Sequence, residues 1–446
     1  MGTILLRDVK IVRDGEIIEG NILVEGNLIR AVGKRDFQAE KTIRCGGRLV
    51  VPGGIDIHAH VYDPAYENHE DWKTGSLAAA FGGITLIVDM PLRTYVDSVE
   101  ALEKKLNKAK TDSYVNYGVT GGFLDGRNYN KLFDLVKKGV RTFKAFTCRP
   151  FQADERSFPK ILEAVANANA VLIVHAEDEG LINYWEEKYR EQKNITAYHM
   201  SRTGATEASA IMRVGYYAMD TLAKIHIAHL SSSEGVAAVS FLKNKGVKIT
   251  AEVTPHHLHF TVDDVKNLGN YMKVAPTIKT REDRDALWKA LASGVIDMYV
   301  SDNAPSPREK KDVDVWEAWG GIPNLEIMGP YLFTYGVLQN KLTLKRFIEV
   351  FSENSAKLLR LYPLVGAIQA GSLANLYVLE TKKTVKISAS IHHHKVDWTP
   401  WEGVELYGRP YLLTVNGEVI IEDGELVGEP GHGYYLGDIA MRFEKS

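Results

Sequence analysis

Eight short apolar segments alternate with amphipathic segments through the middle of the chain, and this alternation constrains the fold more than any other feature. The apolar segments are the predicted strands, at residues 53–60, 84–89, 115–121, 141–146, 171–176, 225–230, 248–254 and 296–302. Most are almost continuously apolar, as expected of parallel strands buried on both faces. The amphipathic segments, at 98–110, 158–168, 207–222 and 281–292 among others, predict helices. Eight strand-then-helix units predict an α/β fold, a (β/α)₈ TIM barrel over residues 53–365, with a doubly wound open sheet as the alternative.

The two ends of the chain have a different pattern, rich in β-branched residues and in turn sequences. Residues 4–12 and 17–24 predict strands, and Asn416-Gly417 near the other end is typical of a hairpin turn. We therefore predict a small β-sandwich domain built from both termini, residues 1–52 plus 366–446. Two separate appendages, one at each end, are the alternative.

Composition narrows the class of protein. The chain has 446 residues and a formal net charge of -3, which does not favour a nucleic acid partner. Two cysteines are too few for a disulfide framework and suit a reducing compartment. We see neither a signal peptide nor an apolar run long enough to span a membrane. We therefore expect a cytoplasmic protein that acts on a small molecule, without a nucleic acid or membrane partner.

The carboxyl ends of the predicted barrel strands carry the side chains best suited to chemistry. In a barrel of this kind the active site lies at that end of the strands. The first strand ends in His58-Ala59-His60, whose two imidazoles share one face because side chains alternate along a strand. Later strands end at or near Lys144, His175, His229 and Asp302. His226 has the opposite parity to His229 and is therefore predicted to be structural. The remaining four imidazoles, one amine and one carboxylate predict a metal site.

Lys144 has an unusual setting for a lysine. It lies between Phe143 and Phe146, where its ammonium group should be partly desolvated and therefore disfavoured. Neighbouring cations would disfavour the charged form further. A neutral amine can add carbon dioxide to form a carbamate, an anion whose two oxygens can each bind a metal ion.

With these residues in place, the sequence resembles the binuclear metal amidohydrolases, and among them the cyclic amide hydrolases: dihydroorotase, allantoinase, hydantoinase and dihydropyrimidinase. The resemblance covers nearly the whole chain and is carried by residues 51–56, 82–85, 89–91, 143–144, 175–177, 229–232, 252–258, 301–302 and 366–376. It also implies a composite β domain made from both termini and a homo-oligomer, either a dimer or a tetramer.

The resemblance implies a set of metal ligands. Six residues would hold two divalent metal ions: His58, His60, Lys144, His175, His229 and Asp302. The two histidines of the first strand would bind one ion and the two later histidines the other. Lys144, carboxylated on its side-chain nitrogen, would bridge the two ions, and Asp302 would complete the first and transfer a proton in catalysis. Imidazole-rich ligation favours zinc, with manganese, cobalt and iron as alternatives.

The resemblance implies hydrolysis of a cyclic amide, and four positions bear on which ring. Dihydroorotases typically have an arginine where this chain has Tyr62, an asparagine in place of Leu92 and a histidine in place of Asn303. Leu92 and Trp319 instead lie in segments that look like allantoinase. These four residues are candidate substrate contacts, and we predict a neutral ureide or imide ring, with allantoin first. Dihydroorotate, hydantoin or a dihydropyrimidine are alternatives, as is a non-catalytic scaffold relative, which the six intact ligand positions disfavour.

Two polar segments are predicted to lie at the surface. One is the tract His392-His393-His394 in the C-terminal part, and the other is the charged segment 308–312, a solvated loop beside Asp302.

Overall fold

The computed structural model describes residues 2–13 and 15–443, which alternate between strands and helices. The strands are β1 (Thr3–Arg13), β2 (Glu16–Glu25), β3 (Leu28–Gly33), β4 (Lys41–Pro52), β5 (Gly54–Ala59), β6 (Ile84–Asp89), β7 (Asn116–Val119), β8 (Gly121–Gly122), β9 (Thr142–Phe146), β10 (Val171–His175), β11 (Lys224–Ile227), β12 (Ile249–Val253), β13 (Met298–Tyr299), β14 (Leu376–Leu379), β15 (Val385–Lys386), β16 (Glu405–Leu406), β17 (Pro410–Val415), β18 (Glu418–Glu422) and β19 (Glu425–Leu426). The α-helices are α1 (Trp72–Phe81), α2 (Val99–Asp112), α3 (Leu132–Lys137), α4 (Phe158–Asn167), α5 (Glu179–Tyr189), α6 (Ile195–Met200), α7 (Gly204–Thr221), α8 (Ser233–Asn244), α9 (Pro255–His259), α10 (Val262–Leu268), α11 (Arg281–Ser293), α12 (Met328–Tyr331), α13 (Leu344–Ile348), α14 (Asn354–Leu358) and α15 (Leu436–Phe443).

Strands β5 to β13 form the parallel barrel. β5, β6 and β7 pair in order, and β8 to β13 pair in order, with β7 and its short continuation β8 together making the third strand. The barrel closes where Ala59, at the end of β5, bridges to Asn303, just beyond β13. The predicted (β/α)₈ TIM barrel is confirmed, and the doubly wound open sheet is wrong.

Burial explains why these segments are strands. Every residue of β6, β9 and β10 is buried, because one face of each strand lies inside the barrel and the other lies under the surrounding helices. Surrounding helices such as α4, α7 and α11 each bury an apolar side in the main core. The four predicted helices are present as α2, α4, α7 and α11.

The remaining long strands, from both ends of the chain, form one eight-stranded sheet. Its order is β19-β18-β17-β14-β4-β1-β2-β3, in which β4 pairs parallel to β1 and antiparallel to β14. Apolar side chains of both halves, such as Ile22, Val50, Leu376 and Leu412, share one core. The β domain predicted from both termini is therefore confirmed, and the alternative of two separate appendages is wrong.

The segment 392–394 joins the C-terminal part to the barrel instead of lying free at the surface. His394 donates from Nδ1 to Glu70 Oε2 at 2.8 Å, and Glu70 is completely buried. The ring of His393 stacks on Phe81 of α1 with centroids 4.0 Å apart and contacts Glu326. The prediction of a surface histidine tract is wrong, because two buried carboxylates far away in the sequence accept hydrogen bonds from it.

None of the helices in the described part of the chain is long and apolar enough to cross a membrane.

The junction between barrel and β domain generates a stability prediction. Gly83, just before β6, has φ +77°, and an added Cβ would lie 2.5 Å from Cε1 of the buried Tyr377. We expect Gly83→Ala to lower the free energy of unfolding by about 2–4 kcal/mol, the sum of overpacking and a left-handed backbone. Gly246 has φ +80° with nothing within 4 Å of the added atom, so it isolates the backbone cost. Gly246→Ala should cost about 1 kcal/mol in the same denaturant titration, and equal losses in both variants would contradict the contact.

Candidate active site at the carboxyl end of the barrel

One cavity of about 250 Å³ opens at the carboxyl ends of the barrel strands. The six residues predicted to be metal ligands all line it: His58, His60, Lys144, His175, His229 and Asp302. They come from β5, β9 and β10 and from the segments that follow β5, β11 and β13. The fold therefore brings together the side chains that the strand-end argument selected.

The first cluster consists of His58, His60 and Asp302. Asp302 Oδ1 lies 3.2 Å from His60 Nε2 and 3.4 Å from His58 Nε2, and one ligand atom from each residue falls within a 4.8 Å group. Burial alone would raise the pKa of Asp302, but the two neighbouring imidazoles lower it to about 2. Asp302 is thus an ionised carboxylate at neutral pH, positioned against two imidazoles.

The second cluster consists of His175 and His229. Nδ1 of His175 lies 3.0 Å from Nε2 of His229, and the ring of His58 is 5.3 Å from that of His229, centroid to centroid, so the two clusters adjoin. His229 has φ +36°, in the left-handed region, a strain of roughly 1 kcal/mol that the surrounding structure offsets. Strain of this kind at a strand end is typical of residues held in place for function.

Hydrogen bonds behind the cavity set which imidazole nitrogens face it. His58 donates from Nδ1 to Glu252, His60 donates from Nδ1 to Met90 O at 2.5 Å, and His175 donates from Nε2 to Glu177 Oε2 at 2.7 Å. In the neutral form of each ring, the other nitrogen then keeps its lone pair toward the cavity. Burial lowers the pKa of both His58 and His175, which favours the neutral form that binds a cation.

Lys144 lies buried in the same cavity with its amine unsatisfied. Its Nζ has no hydrogen-bond partner within the described residues. Burial, more than any other cause, lowers the pKa of Lys144 to about 8. An unsatisfied buried donor is costly in a folded protein, and a partly neutral amine is a nucleophile toward carbon dioxide. The desolvated environment that the neighbouring phenylalanines predict for this lysine is therefore present in the structure.

Glu252, the next-to-last residue of β12, is the residue that sequence reasoning missed. Its carboxylate accepts hydrogen bonds from His58 Nδ1, from His226 Nε2 at 2.8 Å and from the backbone N–H of His229 at 3.1 Å. Burial would raise its pKa, but the imidazoles of His58 and His226 hold it well below the usual range. His226 lies behind the cavity wall, where parity placed it. The one available indication was that a charged residue inside an otherwise apolar strand needs a buried partner.

The four candidate substrate contacts divide into two pairs. Leu92 and Trp319 line the cavity, whereas the structure does not bring Tyr62 or Asn303 to its surface. Tyr62 packs against His60 and the edge of Trp319, and the side chain of Asn303 accepts from the backbone N–H of Asn324 at 2.9 Å. Tyr62 and Asn303 therefore support the wall from behind.

Two buried lysines hold the loop that carries Trp319. Lys273 Nζ donates to Ala318 O at 2.6 Å, and Lys311 Nζ donates to Trp319 O at 2.9 Å. Burial lowers the pKa of Lys273 to about 8 and that of Lys311 well below its usual value. The prediction that residues 308–312 form a solvated loop is wrong for Lys311. Its amine is buried and donates hydrogen bonds to backbone carbonyl oxygens instead of to water.

The shared carboxylate of Glu252 predicts a graded loss of stability. We expect Glu252→Ala to lower the free energy of unfolding by about 3 kcal/mol or more, because two imidazole N–H groups and a backbone N–H lose their buried acceptor. Glu252→Gln keeps one acceptor oxygen and should lose less. Chemical denaturation with a chelator present excludes any contribution from bound cations.

The control for that series is Glu317→Ala, an exposed acid on the cavity rim that should change stability by less than about 0.5 kcal/mol. If Glu252→Ala behaved like Glu317→Ala, the role of the buried carboxylate would be refuted.

Comparison with known proteins places this site in context. A model of the amidohydrolase family matches residues 49–420. The chain is 32% identical over 414 residues to an L-hydantoinase of Paenarthrobacter aurescens, with 90% of each chain covered. It is 32% identical over 433 residues to a dihydroorotase of Methanosarcina acetivorans, covering 94% of this chain and 91% of that protein. It is 30% identical over 402 residues to an allantoinase of Rubrobacter xylanophilus, with 88% of each covered.

The fold is similar to a solved L-hydantoinase (dihydropyrimidinase) of Arthrobacter aurescens. The TM-score is 0.93 at 30% identity, over 98% of this chain and 99% of that one.

Proposed function

The chain belongs to the amidohydrolase family, and from that membership we propose that it is a metal-dependent hydrolase that opens a cyclic amide. One observation carries the proposal. Three imidazoles each lie with one nitrogen at hydrogen-bond distance from a fixed oxygen behind the cavity, so that in their neutral form they present the other, unprotonated nitrogen to it. The relatives named above act, by their names, on hydantoins, dihydroorotate and allantoin, which are all cyclic amides.

The donor set fits two divalent metal ions, for which zinc is the expected element. His58, His60 and Asp302 would hold one ion, and His175 and His229 the other. Lys144 would bridge them as its carbamate, which gives the unsatisfied buried amine a role. Bound divalent ions of this kind lower the pKa of a water molecule and polarise a carbonyl group.

Asp302 is the proposed proton carrier. Its lowered pKa keeps it ionised at neutral pH, so it is able to accept a proton from water. The water oxygen bonds to the ring carbonyl carbon as its proton passes to Asp302. The carbon–nitrogen bond of the ring then breaks, and Asp302 returns the proton to the departing nitrogen. Leu92 and Trp319 flank the cavity and would orient the ring while excluding bulk water.

We propose a hydantoin ring as the substrate core. Allantoin, the substrate that the sequence favours, is itself a hydantoin ring with a ureido group on one ring carbon. The solved L-hydantoinase shares the fold over nearly its whole length. Dihydroorotate is the alternative, since a dihydroorotase is equally identical to this chain in sequence.

The proposal extends to the organisation of the chain. We assign catalysis to residues 53–365 and a supporting β domain to residues 1–52 with 366–446, because the backbone of Gly371 and Ser372 already pairs with Ile29 of β3. A homo-oligomer, dimer or tetramer, is proposed from the resemblance to the family, and a cytoplasmic location from the small number of cysteines.

A substrate panel tests the function. Protein prepared with zinc should open hydantoin or allantoin, and a chelator should abolish the activity until zinc is restored. Ring opening is followed by loss of ultraviolet absorbance or by chromatography, with dihydrouracil and dihydroorotate in parallel. Turnover of dihydroorotate alone would reassign the substrate from a hydantoin to dihydroorotate. If no ring were opened with any divalent metal, the proposed function would be refuted.

Lys144→Gln tests the bridging role. The amide is unable to form a carbamate, so we expect less bound metal and a fall in kcat/KM of more than about 100-fold. Wild-type protein grown with ¹³C-bicarbonate should show a carbamate carbon in its NMR spectrum that the variant lacks. Lys160→Gln, at an exposed position of α4, is the control and should match wild type in all three measurements. Full metal content in Lys144→Gln would refute the bridge.

A further inference from the structure

Arg93 is the one arginine of the cavity that lacks a carboxylate partner within the described residues. Of the other arginines that line it, Arg149 is paired with Glu179, and the buried Arg202 is paired with Glu177. No ion pair or hydrogen bond from the Arg93 side chain is found in the same part of the chain. Arg93 is exposed at the cavity, so water solvates its charge and no protein carboxylate competes for it.

The surroundings of Arg93 fix where that charge lies. It follows Leu92 in the loop after β6, with φ +64°, a left-handed conformation that costs a non-glycine residue about 1 kcal/mol. The centre of its guanidinium lies 5.0 Å from the ring centroid of Trp319. Trp319 is itself held, because its Nε1 donates to Ala304 O at 3.0 Å and its ring contacts His69.

This contact leaves the hydrogen-bonding capacity of Arg93 free. A guanidinium near an aromatic ring interacts with it through the cation–π attraction, which consumes none of its five N–H donors. Those donors form a planar fork that matches the two oxygens of a carboxylate. The ring of a substrate that packs against Leu92 and Trp319 would present its substituent to the residue beside them, which is Arg93.

We propose that Arg93 recognises the substituent of the ring and selects substrates in which that substituent carries a carboxylate, such as a carboxymethyl-substituted hydantoin (hydantoin-5-acetic acid). The inference rests on the proposed ring-opening function and names the substrate class of the same site. A neutral substituent, such as the ureido group of allantoin, offers a hydrogen-bond acceptor but no negative charge to pair with the guanidinium of Arg93. The ring-opened product of the carboxymethyl substrate is N-carbamoylaspartate.

The test compares an acid with its neutral analogue. Wild type, Arg93→Gln and Arg149→Gln are each assayed with hydantoin-5-acetic acid and with its primary amide, and the ratio of the two kcat/KM values is compared among the proteins. We expect wild type to prefer the acid and Arg93→Gln to lower the acid-to-amide ratio by about 10- to 100-fold, mainly through KM. Arg149→Gln should leave the ratio within about twofold of wild type, because its charge is already paired. A ratio unchanged in Arg93→Gln overturns the inference.

A binding measurement separates this inference from the proposed function. Calorimetry of N-carbamoylaspartate with zinc-loaded wild type and Arg93→Gln does not depend on turnover. If no ring is opened, the function fails, while weaker binding of the product by about tenfold in Arg93→Gln still supports carboxylate recognition. Equal binding by both proteins overturns it. Arg93 is exposed, so the variant is expected to fold.

Discussion

Closure of the barrel between its first and last strands is the constraint on which the site depends. The backbone N–H of Asp302 donates to His58 O at 2.9 Å, and that of His60 donates to Asn303 O at 2.8 Å. These two hydrogen bonds set Asp302 against both imidazoles, although Asp302 lies 242 positions after His60 in the sequence. The first cluster is thus a direct consequence of strand pairing, and any change that separates the two strands would separate its members as well.

Burying four imidazoles, a lysine and their partners in one place is unfavourable unless each group is compensated. Desolvation makes the charged forms of His58, His175 and Lys144 costly, as their lowered pKa values record. The carboxylates of Glu252 and Glu177 offset part of that cost through hydrogen bonds from the rings. The amine of Lys144 has no such partner within the described residues, and this residual imbalance is what a carbamate with bound cations would remove. The unsatisfied amine of Lys144 therefore supports the proposed metal site.

How much of this structure can be predicted from the sequence depends on whether a feature is set by neighbouring residues or by residues far away in the sequence. Strands buried on both faces have a continuous apolar pattern, so the barrel is predictable, and side-chain parity distinguishes His229 from His226. Glu252 is not predictable as a ligand-positioning residue, because its partner His58 lies 194 residues away and a carboxylate within a strand has no local signature. The burial of Lys311 escapes prediction because its acceptors, two backbone carbonyls, come from tertiary structure alone. The position of Tyr62 is not predictable for a related reason. The sequence gives its distance from the histidine pair, but it does not show whether the side chain lines the cavity or lies behind its lining.

The division between strands and loops explains why relatives of one architecture carry different names. The proposed ligands lie on strands or directly after them, where pairing fixes their positions, whereas Leu92, Arg93 and Trp319 lie on the connecting segments. Loops tolerate substitution without loss of the barrel, so residues that contact the substituent of a ring are free to diverge while the reacting groups stay in place. A hydantoinase, a dihydroorotase and an allantoinase at 30–32% identity to this chain are the expected result. Substrate preference in this protein is therefore expected to follow the loop after β6 and the loop that carries Trp319, and to be independent of the strand-end residues that are proposed to perform the hydrolysis.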